Sequence, residues 1–217
     1  AGSTSDLVIV VIHGGQEDFH YPSPRMVKEY RFYAENGASV VVGHHPHCVG
    51  GAEVHQGSPI VYSLGNFLFT EPSGDEWWYT GLVLSLQAQR GQAISWELIP
   101  VRQSKSEFTL ALLEGEKAES VRGEVEDYSR TIADDALLDR QWESFLTQYQ
   151  RYYLNVFSPL GLIRNDLVRT GLEKLGLDRF FITKTQYARI LNTLRCESHA
   201  EAAKAVLQRL FKHGNNS

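Results

Sequence analysis

The chain has 217 residues, is 42% hydrophobic and 22% charged, and carries a formal net charge of −5. That length can bury a core without disulfide or metal staples, and mild acidity with no long basic run argues against nucleic acid or an anionic membrane surface as partner. Its two cysteines, Cys48 and Cys196, form no CxxC pair and no disulfide framework, no stretch nears the roughly 18 apolar residues of a membrane span, and no signal peptide is read.

Leu7–Ile12 is a continuous, β-branched apolar run, which predicts a strand of a parallel sheet covered on both faces. It ends in His13-Gly14-Gly15. After a loop, Ser23-Pro24 has the form of an N-cap followed by proline at the first helical position. Met26, Val27, Tyr30, Tyr33 and Ala34 then recur at helical spacing, and Gly37 fits the left-handed position that closes such a helix. Ser39–Val42 is the next buried strand and runs into Gly43-His44-His45-Pro46-His47. A strand–helix–strand unit is expected to be parallel with a right-handed crossover. His13 and the His44–His47 cluster therefore finish at one edge of the sheet, where open α/β sheets carry their ligands.

Pro59–Tyr62 is a further short strand, leading into Ser63-Leu64-Gly65-Asn66. Gly81–Ala88 and Ala93–Val101 alternate around Gln89–Gln92 and predict an antiparallel hairpin, with Pro100 at a strand end or sheet edge. Beyond Leu113 the texture becomes helical and acidic, and Ser198-His199-Ala200-Glu201 has the capping-box pattern of a helix ending near Lys212. The expected organisation is an α/β domain over 1–112 and a helical extension over 113–217.

Proline disfavours the helical region for the residue before it, so His45 is expected to be extended. His45 and His47 would then point the same way, about 7 Å apart along the backbone. They could serve one metal or two neighbouring ones, with His13 as a third nitrogen donor and His44 beside them. The competing interpretation is structural: histidines tied to backbone carbonyls. His20, His55, His199 and His213, taken singly, are expected to be ordinary hydrogen-bonded structural residues. A hydrolytic two-metal centre also needs carboxylates, and Glu17, Asp18 and Glu53 are candidates, each otherwise an ordinary surface charge. No nucleophile elbow and no glycine-rich nucleotide cradle occurs. Trp77-Trp78-Tyr79 forms either an aromatic platform for a polymer or sugar, or packing for the hairpin.

Three blocks, Asp6–Gly15, Gly37–His47 and Pro59–Phe69, resemble in wording, order and spacing the CapA family of capsule or poly-γ-glutamate synthesis proteins. The resemblance implies a branch of the calcineurin-like metallophosphoesterases: a β-sandwich flanked by helices, with two divalent metals (Mn, Fe or Zn) at the strand ends. It implies His13, His45 and His47 as metal ligands and His44 as a catalytic or supporting group, while Asn66 falls in the third block without an assigned role. Where the family commonly has His-Trp-Gly, this chain has His13-Gly14-Gly15. The family's Gly-Asp strand end and its Asn-x-Glu block, which should supply the carboxylate and amide ligands, are not in these 217 residues. The chain is therefore expected to be the C-terminal half of the domain plus a helical extension, inactive alone, with the remainder upstream or on another chain. The implied function is a metal-dependent hydrolase acting on an anionic polymer or phosphate-containing substrate at the extracytoplasmic side of the bacterial envelope. The alternative is a non-catalytic assembly or polymer-binding subunit.

Overall fold

The computed structural model describes residues 5–157, 165–175 and 184–214. It divides the chain into two compact units, Ala1–Trp142 and Glu143–Ser217. The first is α/β, as expected. Its first sheet is built from β1 (Ile9–His13), β2 (Val40–His44), β3 (Ala52–His55) and β4 (Ser58–Val61), in the order β1-β2-β4-β3. β1 and β2 are parallel, and their register sets His13 directly beside His44. β4 is parallel to β2, and β3 pairs antiparallel with β4.

Helix α1 (Pro24–Glu35) makes the crossover. Ser23 caps it by accepting from the Met26 amide, one of the donors a helix start leaves unpaired. Its face of Met26, Val27, Tyr30 and Ala34 buries against Val41, Ile60 and Tyr62 of the sheet, each large side chain contributing on the order of 1.5–3 kcal/mol. Gly43 is required here: a Cβ would lie 2.2 Å from the Tyr62 carbonyl oxygen.

The apolar run at β1 is not covered on both faces. Among the described residues β1 is an edge strand. Val10 and Ile12 pack toward α1, but Ile9 and Val11 on the other face are 44% and 70% exposed. Their register partners Val40 and Val42, one strand further in, are buried.

The second sheet contains the expected hairpin, β5 (Thr80–Gln87) and β6 (Ser95–Gln103), with Leu84 opposite Leu98 and Leu86 opposite Trp96. A short β7 (Leu110–Leu112) adds to β6 from Val101 onward. Pro100 thus sits just outside the β6–β7 pairing, on a side where no amide donor is needed.

The first unit extends past residue 112. Helix α2 (Gly115–Ala133) is acidic outside, yet Val121 and Val125 join Val49 and Leu82 in one cluster, and Ile132 enters the α1 cluster. The Ser129 hydroxyl accepts from the Ala52 amide of β3. The shift to acidic composition after Leu113 therefore marks a solvated helix face, and the expected boundary at 112 does not coincide with the division after Trp142.

α3 (Asp135–Phe157) leads into the second unit, which continues with α4 (Asp166–Lys174), α5 (Lys184–Arg195) and α6 (Glu197–Gly214). α6 starts one residue before the predicted cap Ser198, with the Ala200 amide already bonded to the Cys196 carbonyl. Ala202, Ala203 and Val206 of α6 are buried. Among the described residues no helix is long and apolar enough to cross a membrane.

Candidate functional site

The carboxyl ends of β1 and β2 bring the predicted histidines together. The Gly14 amide bonds to the His44 carbonyl at 2.8 Å, and the Asp18 amide to the Pro46 carbonyl at 2.9 Å. The two loops are thus laced to each other. Gly15, at φ +123°, would place a Cβ 2.8 Å from Pro46 Cγ, so this close approach needs a glycine.

His45 is not extended. Its φ is +121° and that of His47 is +63°, regions that cost a non-glycine residue about 1–3 kcal/mol each. Pro46 still excludes the helical region for His45, but the escape is across positive φ rather than into a strand. A tight turn results, and the two rings meet anyway, with centroids 5.7 Å apart. His45 Nδ1 lies 3.1 Å from His13 Nε2, one nitrogen donating and the other accepting. His45 Nε2 lies 3.9 Å from a Glu17 carboxylate oxygen. Donor atoms of Glu17, His45 and His47 all fall within 4.8 Å of one another.

His47 is held from behind. Its Nδ1 lies 2.9 Å from Asn66 Oδ1, and the Asn66 amide nitrogen donates to the Trp78 carbonyl at 3.0 Å. That second bond fixes which end of the amide faces the ring. His47 therefore carries its proton on Nδ1 and keeps the Nε2 lone pair free, the arrangement usual for a ligating histidine. Its ring also stacks on Trp78 at 5.0 Å and meets Phe69 edge-on. Asn66 is buried, and its role depends on the distant Trp78 carbonyl, so only its place in the Ser63–Asn66 block pointed to it.

His44 stacks on His13 at 5.8 Å, one step from the cluster. Burial, with the positive potential of His13 and His47, lowers its pKa. Asp18 is pushed up by burial and by Glu17, against the pull of His47 and His20. Burial also raises the pKa of the Cys48 thiol, next to His47.

The remaining candidates separate cleanly. Glu53 is paired across the sheet with Ile60, itself level with Val41, short of the histidine edge. It is engaged by both sides of the Arg31 guanidinium, at 2.8 and 2.7 Å, and by the Tyr62 hydroxyl at 2.5 Å. His20 is tied to the Val49 carbonyl, His55 to Glu35 and His199 to the Tyr153 hydroxyl. The side chain of His213 lies outside the described residues. Of the aromatic triplet, Tyr79 is buried, Trp78 packs on His47, and Trp77 faces a neighbouring cleft.

Residues 1–71 match the family described as bacterial capsule synthesis protein PGA_cap. Over 67 residues the chain is 43% identical to the PGA biosynthesis protein CapA of Bacillus subtilis (strain 168), a stretch covering 31% of this chain and 18% of that protein. It is 42% identical over 67 residues to the capsule biosynthesis protein CapA of Bacillus anthracis, covering 31% of this chain and 16% of that protein. The matched stretch is under a fifth of either relative's length. The family match over residues 1–71 includes β1 to β4, all four clustered histidines and Asn66, and stops short of the second sheet and the helical unit.

Proposed function

We propose, from the premise that residues 1–71 belong to the bacterial capsule synthesis family, that this chain is part of a metal-dependent, hydrolase-like protein of capsule or poly-γ-glutamate synthesis, of calcineurin-like metallophosphoesterase architecture. The supporting observation is the meeting of Glu17, His45 and His47 donor atoms within 4.8 Å at the sheet edge where β1 and β2 end. Two donors on one first-row ion lie at most about 4.2 Å apart. A small movement of the exposed Glu17 would close the set, so the residues fit a divalent ion such as Mn, Fe or Zn.

Divalent ions, when bound, supply Lewis acidity toward a phosphate-like or acyl oxygen and lower the pKa of water. The chain's own residues do the rest. Asn66 and His13 hold the Nδ1 sides of His47 and His45, which orients both rings. In a complete two-ion centre His13 would give up this bond to His45 in order to hold the second ion. His44, stacked on His13, accepts or returns a proton beside the ligands. The bare edge of β1 is where a further strand, from the rest of the domain or from another chain, would pair.

Thermal unfolding with added Mn²⁺ or Zn²⁺ and with chelator tests this. A metal-dependent rise in Tm that is lost in His45→Ala and His47→Ala is expected; an unchanged Tm in all conditions makes the histidines structural. A second reading is that of a non-catalytic assembly or polymer-binding subunit. It is favoured by the presence of a single carboxylate, Glu17, in the cluster among the described residues. Metal binding without hydrolysis of bis-p-nitrophenyl phosphate, measured with the rest of the domain present, would select it.

A further inference from the structure

The 3-10 turn Glu76–Tyr79 has two working sides. Trp78 backs His47, while Trp77 lines a separate cleft of about 740 Å³ with residues of β5, β6 and α2. That volume is in the range of small-molecule sites, about 300–1,000 Å³. A row of rings runs from the histidine cluster into it: Trp78 to Trp77 at 6.1 Å, Trp77 to His20 at 5.9 Å, His20 to Tyr128 at 4.7 Å. Trp77 meets both neighbours in edge-type contacts rather than stacked ones, so the row does not use it up in stacking.

The polar lining is balanced. Arg102 is bound to Glu76 and to the Thr80 hydroxyl. Lys117, Ser120 and Glu124 lie at i, i+3 and i+7 on α2 and share one face. Neither Lys117 nor Glu124 is in an ion pair among the described residues. With two cations and two carboxylates in the lining, the cleft carries no net charge. A polyanion would meet Glu76 and Glu124 unfavourably. His20 spends Nδ1 on the Val49 carbonyl at 2.7 Å, which leaves Nε2 as an acceptor. Burial and Glu124 push the Tyr128 phenol up to about 12, so it remains a hydroxyl donor at neutral pH.

An aromatic face, interspersed donors and acceptors, and charge neutrality together match a ring that is apolar on its faces and hydroxylated on its rim. We propose that this cleft binds a neutral carbohydrate segment, one ring lying on Trp77 and its hydroxyls held by Lys117, Ser120 and Glu124. This site is distinct from the histidine cluster and does not rest on the metal reading.

The test is calorimetric titration of the protein with maltotriose, cellotriose and tri-N-acetylchitotriose, beside a γ-glutamyl trimer. Saturable binding of at least one neutral trisaccharide is expected. It should weaken about tenfold or more in Trp77→Ala and clearly in Lys117→Ala, whose exposed side chain is not needed for folding. It should be unaffected by chelator, which separates its failure from failure of the metal reading. The proposal is overturned by the absence of saturable sugar binding, by binding that survives both substitutions, or by preference for the γ-glutamyl trimer.

Discussion

Asn66 shows how one buried side chain can decide what a histidine does. Its carbonyl oxygen takes the Nδ1 proton of His47, and its amide is anchored on the Trp78 carbonyl. Removing it in Asn66→Ala frees the His47 ring to rotate and to exchange its proton between nitrogens. Loss of such an orienting partner typically costs 10–100-fold in metal affinity, and that fall is expected in calorimetric titration with Zn²⁺ or Mn²⁺. Asn66→Asp keeps an acceptor for His47 and loses only the Trp78 bond, so it should retain most of the affinity. Equal affinities in Asn66→Ala and the parent protein would show that the bond orients nothing. The histidines themselves were legible in the sequence, because strand ends and clustered imidazoles are local patterns. The Asn66 bond was not, since it needs Trp78 in place. Glu17 was one of three carboxylate candidates in the sequence, and what chooses it over Asp18 and Glu53 was not legible: its approach to His45 depends on the positive φ values of two histidines and of Asp18, which spacing alone does not reveal.

At the scale of elements, the first sheet is clamped to α1 by charge as well as by apolar packing. Arg31 of α1 grips Glu53 of β3, and Tyr62 donates to the same carboxylate. Burial alone would raise the Glu53 pKa, but the hydrogen bonds from Arg31 and Tyr62 outweigh it and hold the carboxyl below its ordinary 4.5. A carboxyl whose folded pKa is depressed adds stability above its unfolded pKa and loses it as pH falls through the folded value. Glu53→Gln should therefore be less stable at pH 7, by about 1–3 kcal/mol, from the partners left unmatched. The gap to the parent protein should shrink as pH drops below 4.5. Tm measured at pH 7, 5, 4 and 3 checks this, and a gap that stays constant would assign the loss to packing. Most elements here were legible: the α1 cap, the parallel unit and the hairpin all follow from local residue chemistry. α2 was harder. Its buried residues, Ala118, Val121, Val125 and Ile132, are a thin stripe on an acidic helix, and composition hides which surface such a stripe meets.

At the scale of the molecule, the continuous run Leu7–Ile12 predicted a strand with both faces covered, and the structure leaves one face and one edge of it bare. Among the described residues β1 pairs with β2 alone, and Leu7, Ile9 and Val11 are 41%, 44% and 70% exposed. The sequence pattern records what the strand is suited to touch, whereas exposure records what the described residues provide. An apolar, β-branched strand with unpaired amides along one side is a template for another strand, and charge on such an edge is the usual protection. The 217-residue chain should therefore associate as its concentration rises. Val11→Lys should suppress that association with little change in Tm, because Val11 buries little surface in the fold. Sedimentation velocity over a concentration series distinguishes the outcomes. If parent and variant sediment alike at every concentration, the β1 edge is not the contact, and the apolar run is tolerated as a solvated strand. If the parent alone associates, the bare edge is a pairing surface and the place to look for the strand that completes the sheet.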